Sequence, residues 1–284
     1  MFPPSFDLEI YKLHEDLKDF SIGQLLEHYE NFGKTEGRKT SLIDSRKSLL
    51  NILKQDSNIL EIGPFDCPQI KGDNVKYLDV LTKKELVKRC KDIGRIDNID
   101  NIPEIHYTDG LTNIQEKFKY VISCHSIEHQ LSFVDHMNEV YSILENGGYY
   151  ILIVPDKRYS FDHFIKETDI SEILSDYYTK KKNHSIKSLI EHRCYTTHND
   201  CIRHWNGDHG TQTIKLNKYS LNYTLEEYKK KCSSYIDVHN YKFTPDSFKE
   251  ILDKLVFLGL TRFSIEEIYP TLRDTNEFFV VLKK

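Results

Sequence analysis

From about residue 46 onward, short apolar runs alternate with segments whose apolar residues recur at helical spacing. "NILEI" (58–62), "VKYLDV" (75–80) and "EIHYTD" (104–109) read as three strands. "KYVISCHSI" (119–127) and "YYILIVP" (149–155) are richer still in β-formers and are bounded by turn signals. Between these two lies "LSFVDHMNEVYSILENGG", with Phe133, Val134, Met137, Val140, Tyr141 and Leu144 on one helical face and Gly147-Gly148 as the stop. Near the end, Thr244 caps and Pro245 opens a helix over 245–259. "LTRFSIEEIY" and "NEFFVVLKK" follow as a hairpin-like pair of strands. Such alternation predicts an α/β fold: a Rossmann-like, mostly parallel sheet with helices on both faces and an antiparallel C-terminal strand.

Two regions depart from this pattern. Residues 1–45 read as a short helical unit, with Ser21 capping a second helix that Gly33 can end. Its "HYENFGKTEGR" stretch resembles a helical motif of bacterial polysaccharide glycosyltransferases and their neighbours; His28 and Tyr29 there also suit plain packing. Residues 156–240 interrupt the main domain (46–284) with aromatics, histidines and helical patterns around 170–181 and 221–232. A long insertion directly after a sheet strand is expected to serve as a cap over substrate.

With 39 basic against 44 acidic residues (net −5), nothing in the charge invites nucleic acid or an anionic membrane. No apolar run approaches the roughly 18–20 residues of a membrane span. "MFPPSFDLEIYKL" lacks a secretory pattern, so the cytoplasm is the expected location. The six cysteines (67, 90, 124, 194, 201 and 232) form no C-x-x-C pair and are expected to be buried thiols.

The first strand runs into Gly63 and the second into Asp79, with only "PFDCPQIKGDN" (64–74) between the strands. A crossover that includes a helix needs at least about 10–12 residues. Pro64 and Pro68 disfavour one further. A pyrophosphate cofactor seeks a helix N-terminus, whereas a nucleoside without phosphates does not need it. Gly63 would let a ligand approach the backbone, and Asp79 stands where an acid would accept from two ribose hydroxyls. Glu61, two positions before Gly63, also suits a surface ion pair, and Asp79 a turn.

"NILEIGPF", "VKYLDV", "ISCHSIEH", "ENGGYYILIVPDKRYSFDHF" and "HWNGDHG" resemble a group of class I S-adenosylmethionine-dependent methyltransferases often encoded with bacterial surface-polysaccharide (capsule) genes. The resemblance runs over most of 58–284 and departs from the wider class at Phe65, which stands where the first motif has its second glycine. It implies that Glu61 orients the methionine amino group, with Gly63, Pro64 and Phe65 bordering that moiety. Asp79 would take the ribose, Val80 would lie on adenine, and Asp109 with Gly110 would meet the adenine amino group. Cys124, His125 and Ser126 would line the floor beneath the sulfonium.

Transfer to a sugar hydroxyl benefits from a nearby base. "SIEHQ" offers Glu128 and His129; "PDKRYSFDHF" offers Asp156, Arg158, Tyr159, Asp162 and His163; "THNDCIRHWNGDHG" adds His198, Asp200, His204, Asp208 and His209. His163 is the leading base, with His204 and His209 as rivals. Tyr159 and Trp205 are expected as an aromatic wall, and Arg158 as partner of an anionic substituent. The cluster matches no standard metal motif, which leaves a metal requirement open. The expected activity is O-methylation of a small glycan-related acceptor: a nucleotide-linked sugar, or a phosphate-type group of a capsule precursor. Residues 1–45 are a place for association with glycan-biosynthesis proteins. The alternatives are a nicotinamide-dependent oxidoreductase or epimerase, and a non-catalytic cofactor-binding docking module.

Overall fold

The computed structural model describes residues 2–54, 56–211, 218–231 and 236–284; Cys232 and the end of the 221–232 pattern lie outside them. Six strands form one mixed sheet: β1 (Ile59–Ile62), β2 (Val75–Leu78), β3 (Phe118–Cys124), β4 (Leu144–Pro155), β5 (Ser264–Tyr269) and β6 (Glu277–Lys283). They lie in the order β2-β1-β3-β4-β6-β5, the first four parallel and β6 antiparallel to both its neighbours. Strand order reverses at β1, which has β2 on one side and β3 on the other.

Alternation along the strands divides the core. Leu60, Ile62, Tyr150, Leu152, Val154, Phe278, Val280 and Leu282 face the helices Phe133–Ile143 and Pro245–Phe257. Ile59, Ile151, Ile153, Phe279 and Val281 face the other way, onto Phe2, Ile43, Leu49 and Leu53. The second face is thus covered by N-terminal chain and the short helix Arg46–Leu50 rather than by long helices. Thr244 caps its helix with Pro245 at the first turn, as its sequence predicts.

Three local expectations are corrected. "EIHYTD" is not a strand; it makes a single parallel bridge, Tyr107 to Leu78. The His106 ring takes the Tyr77 N–H at 3.2 Å, replacing a carbonyl that a ladder would have supplied. The helix after residue 131 ends at Ile143, before the glycine pair, and β4 already runs through Gly147-Gly148. The early helix does not end at Gly33. It passes through a π turn over Tyr29–Gly33 and stops at Gly37, whose φ is 64°. Gly33 instead gives room: a Cβ there would lie 2.0 Å from the Tyr11 hydroxyl.

Residues 2–40 carry a small core of Tyr11, Leu17 and Leu25, with Phe6 and Tyr29 packed on it. The Arg273 N–H donates to Gly37 O, and the Tyr269 hydroxyl to Pro3 O, joining this unit to the sheet edge. The insertion contains the helices Ile170–Tyr178 and Lys218–Lys231. Its last part returns to the strand ends, where the Asn240 and Tyr241 N–H groups both donate to Glu128 O.

Candidate active site

A cavity of about 420 Å³ opens beyond the carboxyl ends of β1, β2 and β3, at the point of strand reversal. Ile62, Leu78, Leu86, Leu111 and Leu131 give it apolar walls; Asp79, Ser126, His129 and Gln130 bring polar groups. Ile62 pairs with Leu78 and with Ser123, so Gly63, Asp79 and Cys124 follow at one level. Residues 63–74 contain no helix. The turn after β1 therefore supplies no helix N-terminus for a pyrophosphate.

Gly63 (φ 70°) and Gly110 (φ 81°) both border the cavity in conformations that suit glycine. Nothing lies within 4 Å of where a Gly110 Cβ would sit, and Gly63 meets only Ser126 at ordinary contact. Phe65 holds φ 41°, a left-handed value where the wider motif has a glycine. The Phe65 ring lies against Arg89 and Arg95, whose guanidinium carbons are 5.4 and 5.6 Å from its centroid.

Asp79 is buried at the cavity edge, and its carboxylate accepts from Leu81 N–H at 3.1 Å. Burial raises its pKa against the pull of backbone N–H groups from Leu81, Phe65 and Val80. Val80 is 61% exposed on the rim, an apolar surface for a flat ring. Glu61 is only 1% exposed and is absent from the wall. Its oxygens accept from Gln69 N–H (2.8 Å) and Ile70 N–H (3.2 Å), so it ties down the loop that carries Phe65. Burial pushes this carboxyl up to about 7.

Beyond β3, His125 (φ 48°) faces the cavity and lies 2.9 Å from Glu277 at the start of β6. Arg46 pairs with the same carboxylate. Burial alone would raise the Glu277 pKa, but hydrogen bonds from Arg46 and His125 hold it at about 2. Pro64, Asp109 and Cys124 flank wall residues without lining the cavity.

The expected bases separate into two groups. His129 lines the cavity; His163, Tyr159, Asp162, His204 and His209 do not. His163 and His209 stack at 3.8 Å and 10°, while His204 Nδ1 lies 3.0 Å from His209 Nδ1. Tyr159 stacks on Trp205 at 3.7 Å instead of offering a free wall, and Trp205 Nε1 donates to Thr275 O. Arg158 is held by the buried Asp156 at 2.6 Å rather than left for an anionic substituent. Burial lowers the His163 pKa, and its Nδ1 is occupied by Arg158 O at 2.7 Å.

Sequence reasoning missed Arg89, Asp237 and His239. Asp237 and Arg89 pair at the cavity wall, and His239 stands edge-on to His129 at 4.7 Å and 88°. "YIDVHNYKF" carries no motif. The docking of Asn240 and Tyr241 on Glu128 O, with further hydrogen bonds to Gln130 O and Leu131 O, brings it to the site. Cysteine burial is also mixed: Cys90 and Cys194 are buried, Cys124 and Cys201 half-buried, and Cys67 is exposed. Among the described residues no helix is long and apolar enough to cross a membrane.

No family model matches the chain, and no curated protein matches it. Solved structures do match at low identity. An S-adenosylmethionine-dependent methyltransferase from Clostridium acetobutylicum is 11% identical, over 92% of this chain and 98% of that one, with a TM-score of 0.40. A second, from Mesorhizobium loti, is 13% identical over 86% and 100%, also at 0.40. A structure described under zinc-dependent alcohol dehydrogenases, from Rhodobacter sphaeroides, is 13% identical over 91% and 96%, at 0.44.

Proposed function

We propose that the protein is an S-adenosylmethionine-dependent O-methyltransferase. The observation that carries this reading is the cavity itself: a buried carboxylate ends β2, an open glycine ends β1, and no helix lies between them. Asp79 accepts from a ribose diol, and Val80 and Leu111 cover a purine face. Phe65 and Gly63 border the amino-acid end, while Glu61 fixes their loop from behind. When bound, S-adenosylmethionine supplies an electrophilic methyl group on a good leaving group.

The chain then has to align an acceptor oxygen and keep water out. His125, Ser126, His129 and Gln130 form the polar end where such an oxygen enters. The new C–O bond takes its electron pair from the acceptor oxygen, the broken C–S bond leaves its pair on sulfur, and the acceptor proton leaves to solvent by way of the polar end of the cavity. The acceptor class, a glycan-related hydroxyl or phosphate-type group, follows from the sequence resemblance. The association of residues 1–45 with glycan-biosynthesis proteins follows from it as well. A cytoplasmic enzyme suits such soluble precursors.

Thermal shift with S-adenosylhomocysteine and with NAD tests the reading. Stabilisation by the former alone is expected; stabilisation by NAD alone would replace it with a nicotinamide enzyme. Turnover of S-adenosylmethionine with sugar nucleotides separates an enzyme from a docking module.

A further inference from the structure

We propose that Glu128, His129 and His239 form a binding site for a divalent transition-metal ion of the zinc type, buried beside the polar end of the cavity, with His129 alone of the three on the cavity wall. The Glu128 oxygen and the His129 and His239 ring nitrogens lie within 4.8 Å of one another. Glu128 Oε1 is 3.8 Å from both His129 Nε2 and His239 Nε2. Ligands at bonds of about 2.0–2.2 Å in a tetrahedral set stand roughly 3.4 Å apart, so the two Glu128–histidine pairs need a contraction of a few tenths of an ångström, and the two histidines must close in from a separation of up to 4.8 Å.

Glu128 gives the strongest sign. It is 0% exposed, and neither of its oxygens has a hydrogen-bond partner in the structure. A buried carboxylate without partners is costly, and a cation satisfies both its charge and its lone pairs. The second sign lies behind the two histidines. Asp162 sits 2.5 Å from His239 Nδ1, and Asp237 sits 3.2 Å from His129 Nδ1. A carboxylate on the far nitrogen is what orients a metal-bound imidazole and raises its basicity. His239 has one in a hydrogen bond, whereas the Asp237 carboxylate stands near His129 Nδ1 as a charge contact without hydrogen-bond geometry.

Ring geometry separates this set from the other cluster of histidines. His163, His204 and His209 also have nitrogens within 4.8 Å of one another. Their rings, however, lie within 10–26° of parallel, and His163 stacks face to face on His209 at 3.8 Å, so the in-plane lone pairs of that pair do not converge. One pair already faces across 3.0 Å in a hydrogen bond. His129 and His239 are perpendicular at 88°, which lets two in-plane lone pairs meet at one point. The site is held by structure on both sides, since Asn240 and Tyr241 N–H groups bond Glu128 O at 2.7 and 3.0 Å. Two imidazoles and one carboxylate suit a zinc-type ion better than magnesium, and three protein ligands leave a position for an exogenous oxygen. Resting on the methyl-transfer reading, that position would take the acceptor hydroxyl and ease loss of its proton.

Cobalt(II) is the probe, because its visible absorption reports nitrogen and oxygen ligation directly. The full chain, stripped with a chelator and exchanged into clean buffer, is titrated with Co²⁺ and back-titrated with Zn²⁺ and Mg²⁺. One Co²⁺ per chain, displaced by Zn²⁺ and not by Mg²⁺, is expected. His129→Ala and His239→Ala should each weaken binding at least about tenfold, while His209→Ala binds as the wild type does. His129 sits on the cavity wall, and an unchanged circular dichroism spectrum confirms that its variant folds. Absence of Co²⁺ absorption, displacement by Mg²⁺, or loss of binding in His209→Ala with retention in His129→Ala overturns the site. No cofactor or acceptor is added, so a failure here leaves methyl transfer standing, and failure of methyl transfer leaves the metal result intact.

Discussion

His125 Nε2 lies 2.9 Å from a carboxylate oxygen of Glu277, joining the turn after β3 to the first residue of β6. Arg46 shares that carboxylate from the N-terminal side, so three distant parts of the chain meet beside the cavity. Glu277 holds its proton far more weakly than an ordinary glutamate, at about 2. The unfolded chain therefore binds protons that the native state refuses, and stability is lost as pH falls from about 4.5 toward 2. The full effect is on the order of 3 kcal/mol. Glu277→Gln should be less stable than wild type by about 2–3 kcal/mol at pH 7, with the gap at least halved at pH 3. Urea unfolding at the two pH values measures it; a gap independent of pH would mean that the ion pair does not hold the strands.

Phe65 occupies a left-handed conformation that costs a side-chain-bearing residue roughly 1–2 kcal/mol and costs glycine little. Comparing Phe65→Ala with Phe65→Gly removes the ring in both cases and the strain in only one. The glycine variant should melt about 2 °C higher than the alanine variant. Calorimetry giving equal or reversed melting temperatures would show that the turn relaxes when the ring is removed. The same pair should both bind S-adenosylhomocysteine more weakly than wild type, because the ring borders the cavity.

How much of this was written in the sequence differs from one residue to the next. Gly63 and Asp79 were legible because apolar runs fix strand ends, and strand ends in an open parallel sheet point at the ligand. The short 64–74 link was legible as a missing helix for the plain reason that the chain is too short. Glu61 was legible as a strand-end acid beside the cavity but not as the residue that ties down the following loop, since the backbone N–H groups that capture it come from eight and nine positions later. The third strand failed at His106, where a side-chain nitrogen took over a backbone partner. His239 left no local trace at all. Its place depends on a segment more than a hundred residues from Glu128 returning to dock on that residue's carbonyl.

Asp79 should decide cofactor affinity. Asp79→Ala is expected to weaken S-adenosylhomocysteine binding at least about tenfold, the usual scale for losing a hydrogen bond to a charged group. The thermal unfolding of the free protein should change little, because only Leu81 and neighbouring N–H groups lose an acceptor. Burial raises the Asp79 pKa, so affinity in wild type should begin to fall at higher pH than an ordinary aspartate would give. Calorimetric titration across pH 4–8 reads both effects. Unchanged affinity in the variant would remove the ribose from this end of β2.

The two histidine groups allow a test that separates chemistry from scaffolding. His163 stacks on His209 and is anchored to Arg158 O, and it does not line the cavity. His129 does. His129→Ala should therefore lower the single-turnover rate of methyl transfer at least about a hundredfold, the scale of losing a group positioned at the reacting oxygen. Cofactor affinity should stay within about threefold, since the proposed cofactor contacts lie at Asp79 and Phe65. His163→Ala should leave the single-turnover rate within about threefold and lower the melting temperature by loosening the stacked set. If His163→Ala instead abolishes transfer while cofactor affinity and fold persist, the insertion must close over the cavity during turnover. The base would then belong to the "PDKRYSFDHF" segment rather than to the end of β3.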